Sequence, residues 1–479
     1  MRTLSIDIET YSATDLKSAG TYRYAEDKDF QVLLFAYAYD DEPVRVIDMA
    51  QGEEIPASVV ADLTSPHVLK TAFNANFEIT CLRTLFPEID PDQWECTMIK
   101  AGMLGLPMSL DGMANALKLD NQKMAAGKAL IRYFSIPCKP TIKNGGRTRN
   151  LPHHDLEKWE LFKEYCGMDV EVERNGRDKM NFFSISDTEH RLWVLDQQIV
   201  GKGVLIDQKL VENAIRIDAE QSEILTDEAR KLTGLENPNS GMQLRHWLSK
   251  HYGKPVTSLA KGAMPDLLDN SPSEKVTKVL KLNQKLSKTS TAKYQTMLDV
   301  VCKDGRAKGL LQFYGANRTG RWAGRKVQLQ NLPQNHLRDL DLARETVIEG
   351  DRGMVELLYG DVADTLSQLI RTALVAPKGC RFIVADYSAI EAGVIAWLAG
   401  EKWRNGVFAT HGKIYEASAS QMFGIPVEQI TKDSPLRQKG KIAELALGYQ
   451  GGVGAMKAMG GERMGLSEDE MQEIVYNWR

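Results

Sequence analysis

Asp7 and Glu9 stand two residues apart in the run Leu4-Ser5-Ile6-Asp7-Ile8-Glu9. The apolar residues around them predict a strand, whose period of two puts both carboxylates on one face. Carboxylates at the edge of an apolar core need partners, and divalent cations are the usual ones. Alone, the pair would equally suit a strand end with two solvated acids. Two further segments add to it. Asn74-Ala75-Asn76-Phe77-Glu78 places another acid after an aromatic, and Tyr165-Cys166-Gly167-Met168-Asp169 sets a phenol and a carboxylate at i, i+4 on one helix face.

A second set of chemistry-bearing residues lies in the C-terminal half. Thr319-Gly320-Arg321 precedes Leu329-Gln330-Asn331-Leu332-Pro333, so a tight glycine turn presents Arg321 and two amide side chains follow, Gln330 and Asn331. Val384-Ala385-Asp386-Tyr387-Ser388-Ala389-Ile390-Glu391 carries two acids, Asp386 at the end of an apolar run and Glu391 beyond it. Arg437, Lys441, Leu445 and Tyr449 recur every four residues and form one slowly drifting helix stripe. Two cations, an apolar side chain and an aromatic on one stripe suit a nucleoside triphosphate, with Arg437 offering a fork and Lys441 a point charge to phosphates. Taken singly, such a segment would also serve as an amphipathic surface helix.

The elements that must position these residues follow from the hydrophobic pattern. Leu4–Ile8 and Gln31–Tyr37 read as strands, and Leu156–Arg177 has helical spacing, which predicts an α/β domain ending near Asp187. From there to Cys302 the pattern is helical. Asn237-Pro238-Asn239-Ser240 is a turn that caps a following helix, and Val279–Val301 reads as one long Lys-rich helix. Gly309–Gln334 is turn-rich. Cys380–Ala385 reads as a buried strand after the turn Pro377-Lys378-Gly379.

Bulk composition narrows the class. The 479 residues are too many for one core, with 43% hydrophobic and 26% charged residues, ordinary for a soluble globular protein. The N-terminus reaches Asp7 too early for the apolar stretch of a signal peptide, and no apolar run is long enough to span a bilayer. A cytoplasmic protein without a membrane partner is expected. The six cysteines form no Cys-x-x-Cys pair, which predicts reduced, mostly buried thiols rather than a zinc site. Net charge is only −4, yet thirteen Lys and Arg residues between Lys275 and Lys326 are opposed only by Asp299 and Asp304. Such a stripe suits a phosphate backbone, and equally a solvated helix face with a basic loop. The loop from Lys139 to Arg149 offers a second basic feature that could guide a single strand.

In this order and spacing, the first set resembles the tyrosine-containing DEDD 3′→5′ exonucleases, and the second resembles family A DNA polymerases of the phage branch, which lack a 5′-nuclease domain. The resemblance covers essentially the whole chain. It implies an α/β ribonuclease H-like exonuclease domain (1–186), followed by an α-helical thumb (187–302) and a partial α+β palm (303–400) with helical fingers (401–479). It implies that Asp7, Glu9, Glu78 and Asp169 hold two metal ions, with Tyr165 orienting the attacking water. Glu78 departs from the family's usual Asp. It implies a palm metal site at Asp386 and Tyr387, a block to the ribose 2′-hydroxyl at Glu391, and nucleotide contacts from Arg437, Lys441, Leu445 and Tyr449. Leu445 departs from the family's usual aromatic. Lys288, Lys293, Arg321, Gln330 and Asn331 would contact DNA, and the segment Asn283–Leu298, with Lys285 and Tyr294, would lie along the duplex. The implied cofactor is Mg2+, two ions per active site, with Mn2+ able to substitute. The implied partners are primer–template DNA, a single-stranded DNA 3′ end, deoxynucleoside triphosphates and other replication proteins.

Family members also carry a His-Asp-Glu palm motif. The only His-Asp here is His154-Asp155, inside the first domain. The expectation is therefore a chain truncated before its second palm carboxylate, able to degrade single strands but not to extend a primer unaided. The alternatives are a nuclease whose polymerase half only grips primer–template, and a non-catalytic DNA-binding fragment. The separate acidic clusters argue against the last, because they repel phosphate.

Overall fold

The computed structural model describes residues 2–120, 126–260, 262–287 and 291–478. The chain forms two compact units, Met1–Cys380 and Arg381–Arg479. Among the described residues, no helix is long and apolar enough to cross a membrane, and all six cysteines are free.

The first unit opens with β1 (Arg2–Tyr11), α1 (Leu16–Ala25), β2 (Gln31–Tyr39), β3 (Arg45–Ile47), α2 (Ala57–Thr64), β4 (Val68–Ala72), α3 (Ala75–Leu82), β5 (Trp94–Cys96), α4 (Thr97–Met103), α5 (Leu110–Leu117), α6 (Gly127–Phe134) and α7 (Leu156–Lys179). The strands form a five-stranded sheet in the order β3-β2-β1-β4-β5. β1 runs antiparallel to β2 and parallel to β4, and a bulge interrupts its register between Glu9 and Thr10. Alternation divides β1 between two cores. Leu4, Ile6 and Ile8 pack on one face with residues of α2 and α3. Asp7 pairs with Ala36, which packs on the other face beside Tyr165 and Cys166 of α7.

The unit continues with α8 (Asp187–Lys202), β6 (Val204–Ile206), α9 (Gln208–Thr233), α10 (Gly241–Tyr252), α11 (Met264–Asp269), α12 (Glu274–Leu286), α13 (Ala292–Val300), β7 (Arg306–Ala307), β8 (Leu311–Ala316), β9 (Arg321–Gly324), α14 (Leu340–Glu349), α15 (Arg352–Tyr359), α16 (Val362–Leu369) and β10 (Leu374–Val375). Ser240 caps α10 as its sequence predicts, its hydroxyl accepting from the Gln243 N–H. The single helix expected over Val279–Val301 is instead two, α12 and α13. β8 and β9 form a hairpin, and β10, β6 and β7 form a small antiparallel sheet.

The second unit holds α17 (Ile390–Ala399), α18 (Lys402–Thr410), α19 (Ile414–Phe423), α20 (Pro435–Leu447), α21 (Val453–Ala458) and α22 (Glu468–Trp478), packed around Ile442, Ala446, Met456 and Met471. The buried strand expected at Cys380–Ala385 does not form. These residues lie outside any strand, and Ile383 and Val384 are 87% and 89% exposed. A strand needs a neighbour to satisfy its backbone groups. Among the described residues none pairs with this one. Asp386 is thus carried by an exposed, irregular segment rather than by a sheet.

Candidate active sites

The first site lies where β1, α3 and α7 meet. The pairing of Asp7 with Ala36 turns the Asp7 carboxylate toward α7, where Cys166 Sγ stands 3.7 Å from Asp7 Oδ2. Helical spacing places Tyr165 and Asp169 one turn apart, both buried. The Tyr165 phenol is held well above its ordinary titration range by burial, then by the charges of Asp169, Glu9 and Asp7, with Asp169 also its hydrogen-bond partner. These four side chains therefore share one electrostatic neighbourhood. Glu78, in the first turn of α3, joins it through Asp7: burial, then the Asp7 charge, raises its carboxyl well above the usual range. Glu78 Oε2 is buried without a hydrogen-bond partner.

These residues fit a hard divalent cation in their chemistry. The donors are carboxylates, and one of them buries an oxygen whose desolvation a cation would offset. Among the described residues, no group of three or more His, Cys, Asp or Glu is already assembled to hold a metal ion. The fit is thus one of donor chemistry rather than of a ready-made cage.

Two neighbours of this site carry no motif signal. Cys166 lies between the sequence-predicted pair, its thiol raised by burial and then by Asp7, Glu9 and Asp169. Glu173, one turn beyond Asp169, is buried and accepts from Thr97. Its i+4 spacing from Asp169 was the only available clue. Arg149, from the basic loop, stacks 3.7 Å above the Tyr11 ring at the end of β1 and donates to Gln31.

The residues of the second set fall in both units, and each group is described within its own unit. In the first unit, β9 presents Arg321, and Gln330 and Asn331 follow in a single 3-10 turn, all three exposed. Gly324 permits this arrangement, because a β-carbon there would lie 2.2 Å from the Gln330 amide oxygen. The helical residues expected along a duplex are placed less simply. Lys288 lies outside the described residues. Lys293 is half-buried and donates to the Val327 carbonyl at 2.7 Å. Tyr294 is fully buried, its hydroxyl donating to Leu366 at 2.7 Å, so it belongs to the core and not to a DNA-facing surface. An aromatic three and four residues before Met297 and Leu298 shares their helix face and packs inward wherever a core is available. Other members of the basic stripe are also engaged: Lys278 pairs with Glu228, and Lys308 with Asp304 and Glu26.

In the second unit, α20 lies close against α19 because Gly440 faces Tyr415, whose carbonyl oxygen would be 2.2 Å from a β-carbon there. Glu391, Leu445 and Tyr449 line one cavity of about 200 Å³ with Arg404 and Glu444. Arg437 and Lys441 sit on the same helix but outside that lining. Arg437 Nε is 2.7 Å from Glu416 Oε1, and its guanidinium lies 5.4 Å above the Tyr415 ring. Tyr415 is the residue that the motifs did not single out. Burial raises its phenol; Arg437 opposes this, while Glu444, Glu391 and Asp386 add to it. It therefore shares a neighbourhood with three sequence-predicted residues. Glu444 is buried and held by Ser418 and Arg404. Tyr387 is 81% exposed.

The family model described as DNA polymerase family A matches residues 208–478. A DNA polymerase of Bacillus phage SP02 is 58% identical over 480 residues, spanning all of this chain and 74% of that protein. DNA polymerase I of Pseudomonas aeruginosa is 26% identical over 300 residues, 61% of this chain and 29% of that one. Among solved structures, the POL domain of Pol1 from M. smegmatis, in complex with DNA primer-template and dNTP, superimposes with a TM-score of 0.57 at 16% identity over 98% of this chain and 74% of that one.

Proposed function

Because this chain belongs to the family A DNA polymerases, we propose that it copies primer–template DNA from deoxynucleoside triphosphates and removes nucleotides from a DNA 3′ end. Polymerase identity rests on the phage relative, alike over the whole chain. The nuclease reading rests on one observation above others: Asp7, Glu9, Tyr165 and Asp169 share a single electrostatic neighbourhood beside a buried, unpartnered Glu78 oxygen.

In the nuclease, Asp7, Glu9, Glu78 and Asp169 would hold divalent cations, Mg2+ or in its place Mn2+. Such ions, when bound, supply electrophilic stabilisation of a phosphodiester and acidify water. The chain supplies the rest. Burial and the surrounding carboxylates keep the Tyr165 phenol protonated; its single O–H is given to Asp169 here, and would turn to a water or phosphate oxygen if Asp169 took up a cation. Cys166 packs behind Asp7 and fixes its carboxylate. Arg149, anchored on Tyr11 and Gln31, offers cationic character near the end of β1 toward an incoming strand.

In the polymerase, Asp386 with Tyr387 would hold the corresponding ions. Arg437 and Lys441 would meet triphosphate oxygens, Arg437 by exchanging its Glu416 partner for phosphate. Glu391 and Leu445 would bound the sugar and Tyr449 the base. Arg321, Gln330 and Asn331 would touch the minor groove at the primer end, where donors read pairing shape rather than sequence. Lys293 and Lys288 would contribute to backbone attraction.

Asp7→Ala tests the nuclease reading. Excision of single-stranded DNA in Mg2+ should be lost, and unchanged excision would refute the site.

A further inference from the structure

The nuclease core and the β8–β9 hairpin are joined by both an apolar and a polar contact. The apolar contact is Phe313 of β8, which packs into the core that contains Ile79 of α3 and Trp193 of α8. Trp322 of β9 stands edge-on to Phe313 at 5.1 Å. Apolar packing fixes position but carries little direction.

The polar contact is directional. Trp322 Nε1 donates to Asp196 Oδ1 at 2.8 Å. Gln197 Nε2 donates to Asp196 Oδ2 at 3.1 Å, and Gln197 Oε1 accepts from Asn76 Nδ2 at 2.6 Å. Asn76 also donates to the Tyr22 hydroxyl at 3.1 Å. Asp196 and Gln197 are 3% and 4% exposed, so the bond between them is made away from water, where a lost partner is not replaced, while the bonds to Trp322 and Asn76 at the two ends are partly buried. The chain of bonds begins one residue after Arg321 and ends two residues before Glu78. A cavity of about 350 Å³ opens alongside, lined by Asn76 and Phe77 on one side and by Gln312 and Arg325 on the other.

We propose that Asp196 and Gln197 are positioning residues that hold the primer-reading hairpin at a fixed angle to the nuclease helix α3, and thereby set how readily a paired 3′ end is released for excision. The inference rests on the nuclease reading above. With the strut intact, the hairpin keeps the orientation in which Arg321, Gln330 and Asn331 can grip a paired terminus. With it cut, the hairpin keeps the Phe313 ring in the core and the Phe313 N–H on Asp196, and loses the link that ties its angle to α3.

The test uses the full chain, a single-stranded oligonucleotide and the same oligonucleotide annealed to a matched template, in Mg2+. Gln197→Met cuts the strut between Asn76 and Asp196. Trp322→Phe removes the indole N–H and keeps a ring against Phe313. The expected result is single-strand excision within about twofold of wild type, a paired-to-single-strand excision ratio raised about threefold or more, and a raised KM for the primed duplex. The double variant should match either single variant, since both cut the same chain of bonds. An unmoved ratio, equal losses on both substrates, or full additivity would overturn the proposal. Should Gln197→Met not fold, Trp322→Phe carries the same test at a ring that is 40% exposed. A wild-type chain that excises neither substrate would overturn the nuclease reading and this proposal with it. Wild-type excision with an unmoved ratio in the variants would overturn the proposal alone.

Discussion

A β-carbon built on Gly127 would lie 2.2 Å from Cε2 of the Tyr165 ring, so the first turn of α6 and the candidate catalytic phenol interlock. Gly127→Ala should therefore displace the ring without touching a carboxylate. A displacement on the order of 1 Å at a positioning group lowers rate by up to about 100-fold. Single-strand excision should fall by about 10- to 100-fold, while overpacking lowers stability by only about 1–3 kcal/mol. Excision kinetics beside a thermal melt check this; full excision by a folded Gly127→Ala protein would show that the ring's position does not matter.

Glu78 should trade stability for activity. Its carboxyl is buried, with one oxygen lacking a partner and the Asp7 charge nearby. Glu78→Gln replaces the buried carboxyl, which must take up a proton to fold beside Asp7, by a neutral amide and should raise metal-free stability near neutral pH by about 1–2 kcal/mol while reducing excision at least about 100-fold. Urea unfolding in EDTA gives the first quantity and excision in Mg2+ the second. A less stable variant would contradict the burial argument.

Arg437 and Glu416 form a half-buried pair at 2.7 Å. Arg437→Ala removes the phosphate-facing fork and leaves Glu416 without its cation. The KM for a deoxynucleoside triphosphate in primer extension should rise about tenfold or more, and Arg437→Lys should recover only part of it, because lysine lacks the bidentate geometry. Equal KM values for the lysine variant and wild type would remove Arg437 from the triphosphate site.

Lys70 predicts a pH dependence of stability. It is fully buried in β4, its ammonium donating to the Ser65 and Val68 carbonyls, and burial lowers its value from 10.5 to about 8. Below about pH 8 both folded and unfolded chains hold the proton, and the burial penalty stands in full. Between pH 8 and 10.5 the unfolded chain binds more protons, so stability should rise with pH, by roughly 2–3 kcal/mol in total. Lys70→Met should flatten that rise. Chemical denaturation of both proteins at pH 7.5 and 10 measures it, and parallel profiles would count against the assignment.

The N-terminal domain was the more legible in sequence. Strand alternation and helical spacing are local properties, and they placed Asp7 with Glu9 and Tyr165 with Asp169 correctly along β1 and α7. The Ser240 cap was equally local. The approach of Glu78 to Asp7 was suggested only by motif order, since no local rule brings α3 to β1. The polymerase half depended more on neighbours. Cys380–Ala385 has the apolar content of a strand, but a strand is a pairing and not a composition, and no partner pairs with it among the described residues. Tyr294 sits in a Lys-rich stretch that suggested a DNA-facing helix, and the core claimed it instead.

What the sequence determined by itself was the set of candidate groups and their order, because spacing along one element fixes which side chains share a face. What only the tertiary structure decided was which faces meet. It set Tyr415 beneath the Arg437 guanidinium, set Gly127 against the Tyr165 ring, and linked Asn76 to Trp322 through Gln197 and Asp196. Each of these joins residues far apart in the chain, and such contacts are selected by the packing of whole elements, which no local pattern encodes.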